Sequence, residues 1–149
     1  MYKEIMFSFA IILGLILTGC ASVPMASLEK DTAAKAFVTQ PGKANIYVYR
    51  HETMGAAVKM PVALNGKLVG DTAAKTYLLL DVEPGNHTLV SKTENDAVLN
   101  VAAEAGKNYY VWQEVKMGLW SARSALHLVD EKKGREDVTE CMLIEAGAQ

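Results

Sequence analysis

From residue 45 onward, β-branched and aromatic runs are broken by turn signals about every ten residues, a pattern that leaves packed sheets as the natural fold. The string Ile46-Tyr47-Val48-Tyr49-Arg50 is apolar on both faces until Arg50, which predicts an inner strand. Residues 60–64 and 67–70 flank Asn65-Gly66, and both turn residues accept positive φ, so a tight hairpin is expected. Residues 76–82 (TYLLLDV) predict the next strand. Glu83-Pro84-Gly85-Asn86 reads as a type II turn, returning residues 87–92 as that strand's partner. Residues 97–103 and 125–129 predict further strands. Residues 107–116 (KNYYVWQEVK) place Tyr109, Val111 and Val115 on one face and Tyr110 and Trp112 on the other. Helices are expected at both ends. Residues 28–37 are alanine-rich with acids toward the start, and residues 135–144 carry Val138, Cys141 and Met142 at helical spacing after a polar turn at 131–134. The expectation is a mostly β chain: a small antiparallel sandwich of six or seven strands with short flanking helices.

The first twenty residues, MYKEIMFSFAIILGLILTGC, have a different character. Lys3 is followed by an apolar run over residues 7–17, the length of a signal-peptide core. A spanning helix needs about 20 apolar residues, so the run is too short to cross a bilayer stably. Leu17-Thr18-Gly19-Cys20 resembles the bacterial lipobox. The resemblance implies cleavage between Gly19 and Cys20, with the Cys20 thiol carrying a diacylglyceryl group and its new α-amino group open to further acylation. Two or more chains anchor stably, at about 0.8 kcal/mol per buried methylene. The alternatives are an uncleaved anchor or an ordinary secretory signal ending near Ala21. Ser22 stands near the position where an Asp would resemble an inner-membrane retention signal, so the outer membrane, facing the periplasm, is the expected destination.

Four segments follow: a signal peptide at 1–19; a lipidated N-terminus, tether and short helix at 20–43; a β-sandwich at 44–145; and a tail at 146–149. Cleavage leaves 130 of the 149 residues, enough for one domain that folds without metal or disulfide. The net charge of −2 excludes an electrostatic nucleic-acid binder, which would be basic overall or carry a basic stripe. Two cysteines invite a disulfide reading, but an acylated Cys20 is a thioether and leaves Cys141 as a lone thiol.

The strings Ala44-Asn45-Ile46-Tyr47-Val48-Tyr49-Arg50, Leu64-Asn65-Gly66, Val82-Glu83-Pro84-Gly85-Asn86-His87, and Gly106 with Tyr109-Tyr110-Val111 together resemble a family of small bacterial lipoproteins classed as a domain of unknown function. The similarity runs from about residue 36 to residue 144. The Val-x-Pro-Gly-x-His element and the Asn-Gly hairpin are also similar to PEGA-type surface modules, which are small β-sandwiches. The resemblance implies a compact envelope β-domain and no reaction.

Candidate sites are sparse. His51, His87 and His127 lack the close spacing a zinc site needs, and no metal or other cofactor is expected. His87, beside Pro84-Gly85, reads as a turn residue bonded to backbone. Cys141 paired with His127 or His87 would make a thiol nucleophile, but a cysteine on an apolar helix face is usually a small hydrophobe. No Gly-x-Ser-x-Gly elbow, phosphate loop or HExxH motif occurs. Tyr47, Tyr49, Tyr109, Tyr110 and Trp112 form either a binding platform for glycan or peptide or, more simply, core. Arg50 either grips a carboxylate or phosphate, or pairs with an acid such as Glu52. Met117-Gly118-Leu119-Trp120 is expected to fold over the end of the sandwich; exposed, it would mark a partner or membrane interface.

The preferred expectation is therefore a non-enzymatic, lipid-anchored envelope module that meets the membrane through its anchor and works on an envelope partner, in an oligomeric state the sequence leaves open. The second is a small-ligand carrier or sensor with a pocket bordered by Tyr49, Tyr110 and Arg50. The third, a hydrolase, needs a polar cluster that the sequence does not display.

Overall fold

A computed structural model describes residues 22–145; the signal segment, the Gly19–Cys20 junction and the tail at 146–149 lie outside the described residues. Strand β1 (Ala44–Arg50) is the hub, and all its residues are buried. On one edge it pairs antiparallel with β4 (Thr76–Val82), Val48 opposite Leu78. On the other it pairs parallel with β7 (Asn108–Lys116), Val48 opposite Val111. β8 (Arg123–Val129) extends the sheet beyond β7, and the two-residue β9 (Met142–Leu143) beyond β4, giving the order β8-β7-β1-β4-β9. The second sheet contains β2 (Met60–Leu64), β3 (Lys67–Thr72), β5 (Gly85–Lys92) and β6 (Asp96–Ala103), in the order β3-β2-β5-β6.

Strand alternation explains why β1 is buried on both faces. Ala44, Ile46 and Val48 face the second sheet and pack with Leu78, Val111, Val62 and Leu89. Tyr47 and Tyr49 face the opposite way and pack with Tyr77, Tyr110, Val138 and Cys141 beneath α1 (Leu28–Ala34) and α2 (Glu131–Thr139). Each fully buried aliphatic side chain in the first group contributes about 1.5–3 kcal/mol. The result is a mostly β sandwich of nine strands among the described residues, with two short helices over the outer face of the larger sheet. The inner-strand expectation for residues 46–50 holds. So does the Asn65-Gly66 hairpin, whose residues take φ of 51° and 82°. The larger sheet is mixed rather than wholly antiparallel, because β1–β7 and β4–β9 run parallel. No described helix is long and apolar enough to cross a membrane.

Two local expectations are corrected. Glu83-Pro84-Gly85-Asn86 does turn the chain, with Gly85 at φ 137°, but it does not close a hairpin. β1 takes one edge of β4 along its whole length and β9 takes the start of the other, at Thr76 and Tyr77, while β5 crosses to the other sheet and pairs with β2 and β6. The second helix spans Glu131–Thr139, not 135–144. Asp130 caps it by accepting from the N–H of Lys133 at 2.9 Å, so the expected polar turn is the first helical turn. Cys141 and Met142 then fall beyond the helix, and Met142 begins β9.

Gly134 is what lets α2 sit this close. A Cβ there would collide with Cβ and Cγ of Tyr110.

Candidate functional site

The layer between the larger sheet and the helices holds a set of tyrosines and aspartates that bond to one another or to backbone, apart from the Tyr110 hydroxyl, which is buried without a partner. The Tyr47 hydroxyl donates to the Ala34 carbonyl at 2.9 Å, and Tyr49 donates to Asp137 Oδ2 at 2.7 Å. Tyr77 donates to Asp31 Oδ1 at 2.9 Å. Asp31 also accepts from the Leu143 N–H and from Lys35 Nζ, both at 2.8 Å. Burial alone would raise the Asp31 carboxyl; the hydrogen bonds from Lys35, Tyr77 and Leu143, with the Lys35 charge, outweigh it and hold the group below its usual value. Burial pushes the phenols of Tyr47, Tyr49 and Tyr77 well above their usual range.

Burial likewise pushes the Cys141 thiol up to about 12, and its Sγ contacts the Arg50 carbonyl at 3.4 Å. At neutral pH it is a protonated hydrophobe rather than a nucleophile. Neither Asp31 nor Asp137 stood out in the sequence. The signal that was there is their spacing to Lys35 and Lys133, four residues away in each helix.

Tyr49, Tyr110 and Arg50 do not border one cavity. Tyr49 and Tyr110 are buried under the helices, and the Tyr110 ring stacks on Tyr47 with centroids 5.3 Å apart. Arg50, the next residue on β1, faces the other way and is 0 % exposed. Its Nη1 donates to the Val58 carbonyl at 2.7 Å and its Nη2 to that of Gly55 at 3.0 Å. The contact with Thr72 is longer, 3.3 Å. Burial lowers the guanidinium's pKa, with Glu52 opposing. Arg50 therefore ties the β1–β2 loop to the strand end and has no exposed fork for an anion. The expected Arg50–Glu52 pair is replaced: Glu52 accepts from Trp112 Nε1 at 2.9 Å and from the Val115 N–H at 3.1 Å.

Of the histidines, His87 lies at its turn as expected, with Nε2 2.7 Å from the Glu83 carbonyl and Nδ1 2.9 Å from Asn65 Nδ2. A carbonyl can only accept and an amide nitrogen can only donate, so Nε2 carries the proton. His51 and His127 flank Trp112 at 5.3 and 5.0 Å. Among the described residues, no group of three or more His, Cys, Asp and Glu is arranged to hold a metal.

The strongest surface feature lies at the end of the sandwich where β1 and β7 terminate. Here the expected cover is corrected: Met117, Leu119 and Trp120 project outward, 86, 86 and 93 % exposed. With Met54, Val58 and Val115 they line a groove of about 280 Å³. The loop carrying them is held from behind by the β5–β6 turn. Glu94 accepts from the N–H groups of Trp120 at 3.1 Å and Ser121 at 2.9 Å, and its own N–H donates to the Ala122 carbonyl. The Ser121 and Trp120 N–H groups hold the Glu94 carboxyl below its usual range. Asn95 grips Ser124 through both its N–H and its carbonyl.

A Cβ at Gly118 would collide with the Ser121 carbonyl oxygen and the Glu94 carboxylate, so the turn accepts only glycine there. The backbone is thus bonded inward while the apolar side chains face out. Glu94, Asn95 and Met54 escaped the sequence reading because their partners are distant in the chain.

Behind this loop the sheets are joined by a buried polar ladder. Gln113 accepts from Thr72 at 2.5 Å and donates to Ser91 at 2.6 Å, and Ser124 reaches Ser91 at 2.8 Å.

A family model described as a protein of unknown function (DUF2846) matches residues 40–125. An uncharacterized protein of Haemophilus influenzae is 32 % identical over 139 residues, covering 91 % of this chain and 83 % of the relative. No solved structure matches the chain.

Proposed function

We propose, for a chain that belongs to the DUF2846 family of unknown function, a lipid-anchored role in the bacterial envelope carried out by binding rather than turnover. The observation that carries the reading is Leu17-Thr18-Gly19-Cys20 behind an apolar run too short to span a bilayer. Cys20 is the acylated residue, and the outer membrane, facing the periplasm, is the location that Ser22 favours. The likeness to PEGA-type modules supports a compact surface domain. The geometry supports binding over chemistry in a specific way. Tyr47, Tyr49, Tyr77, Asp31, Asp137 and Cys141 are bonded to one another or to backbone beneath the helices, while the groups presented to solvent on a braced loop are apolar. An anchored module gains effective concentration toward whatever shares its membrane.

The test is fractionation of cells expressing wild type or Cys20→Ser. Wild type should sediment with membranes and resist high salt, and the variant should lose that behaviour. Equal partition of the two would remove the anchor.

A further inference from the structure

The structure brings Ser22 and Val23, where the described chain begins, and the apolar loop to the same end of the sandwich. β1 leaves its sheet at Arg50, directly opposite Thr76, where β4 enters. β7 runs parallel to β1 and ends at Lys116. The connections at 51–59, 73–75 and 117–122 therefore share one end. Ser22 and Val23, the first described residues of the chain, line a cavity of about 330 Å³ with Ala73, Lys75 and Thr76. Ser22 is two residues from Cys20, a span of at most about 7 Å. β7 flanks β1 on one side and runs on past Trp112, its last residue paired with β1, to Lys116, while the tether meets the sheet at its other edge, Met25 opposite Ile144.

From this juxtaposition we propose that Met117, Leu119 and Trp120 dock into the lipid surface that holds Cys20, making the loop a second, non-covalent membrane contact. The proposal rests on the lipid-anchor reading above. The side-chain chemistry fits a bilayer interface: an indole suits the headgroup level, and Leu and Met supply apolar area beneath it. The backbone chemistry fits as well. Glu94 already accepts from the N–H groups of Trp120 and Ser121, so these two donors need no water when the loop enters a less polar layer. The four carbonyls that Arg50 faces fix Met54, Gly55 and Val58 as the floor of the same surface. Anchor and loop together would hold the domain's end against the membrane, so the opposite end, with the Asn65-Gly66 and Pro84-Gly85 turns, points away from it.

The experiment is depth-dependent fluorescence quenching of the mature lipoprotein in phosphatidylcholine vesicles, with and without bromine on the acyl chains. The chain has two tryptophans, and Trp112 is half-buried with its Nε1 bonded to Glu52, so bromolipid should remove about half of the wild-type emission. In Trp120→Phe, an exposed position where folding is not at stake, the remaining emission should be unquenched. Leu119→Ser should weaken the quenching of a retained Trp120. Wild type that floats with the vesicles but shows no quenching overturns the loop contact and leaves the anchor standing. Wild type that does not float overturns the anchor reading and the loop contact with it. A Trp120 shielded from both bromolipid and aqueous acrylamide would mean that protein covers the loop, which also overturns the proposal.

Discussion

Replacing Gly134 with alanine sets two effects of known size against each other. In an open helix the change stabilises by about 0.8–1 kcal/mol, because glycine is the poorer helix former. Here the added Cβ would overlap Cβ and Cγ of Tyr110, atoms close to the β7 backbone that cannot swing aside. Overpacking of this kind costs about 1–3 kcal/mol, and the overlap with near-backbone atoms places it at the upper end. The net expectation is a loss of about 1–2 kcal/mol, or a Tm lower by roughly 3–8 °C. Urea unfolding followed by far-UV circular dichroism should show a lower midpoint at unchanged slope. Lys132→Ala, on the exposed side of the same helix, supplies the baseline and should stay within about 0.5 kcal/mol. A Gly134→Ala variant that gains stability would contradict the close Gly134–Tyr110 contact. It would mean that α2 is not seated on β7, and that Tyr49 and Tyr110 are open to ligands after all.

Other expectations follow from the same geometry. Asp31 is buried with its pKa held below the usual 3.8, so its contribution is fully present above that value and is lost as pH falls through the lower, folded-state value. Asp31→Asn should cost about 1.5–3 kcal/mol at neutral pH and flatten the acid limb of a stability–pH curve. In the native protein Cys141 should resist a thiol reagent at pH 8 and react at once in denaturant; immediate native reactivity would contradict its burial. Gln113→Ala removes one partner each from the Thr72 and Ser91 hydroxyls, which keep only Met60 and Ser124, and leaves a cavity, so it should cost about 2–4 kcal/mol by chemical denaturation. Glu94→Ala should leave the unfolding midpoint nearly unchanged but speed amide hydrogen exchange at Trp120 and Ser121; unchanged exchange there would show that Glu94 does not brace the loop.

Much of the fold was legible because strands announce their faces. The two-sided apolar run 46–50 told of an inner strand, and Asn65-Gly66 told of a tight hairpin, since both signals are local. The Pro84-Gly85 turn shows the limit: a turn reverses the chain, but which strand receives it depends on distant pairings, and β4's partners lie about 30 positions upstream, in β1, and about 65 downstream, in β9. Arg50 shows another. An arginine two residues from a glutamate suggests an ion pair, yet its side chain points into the sandwich, where backbone carbonyls of the following loop were the available acceptors. The apolar string 117–120 was visible, but exposure was not, because a loop's direction is set here by Glu94 and Asn95 from another hairpin. The helix-covered tyrosines were correctly expected to be core, but their buried aspartate partners lay in segments that read as ordinary charged helix surface.

Acylation at Cys20 decides how this domain meets the membrane, and it is read most directly from the intact mass of the chain extracted from membranes. With the anchor in place, the wild-type chain begins at Cys20 and carries added acyl mass there, while Cys20→Ser carries none. A wild-type chain that retains residues 1–19, or starts elsewhere without acyl mass, would contradict the anchor and return Cys20 to the pool of partners for Cys141.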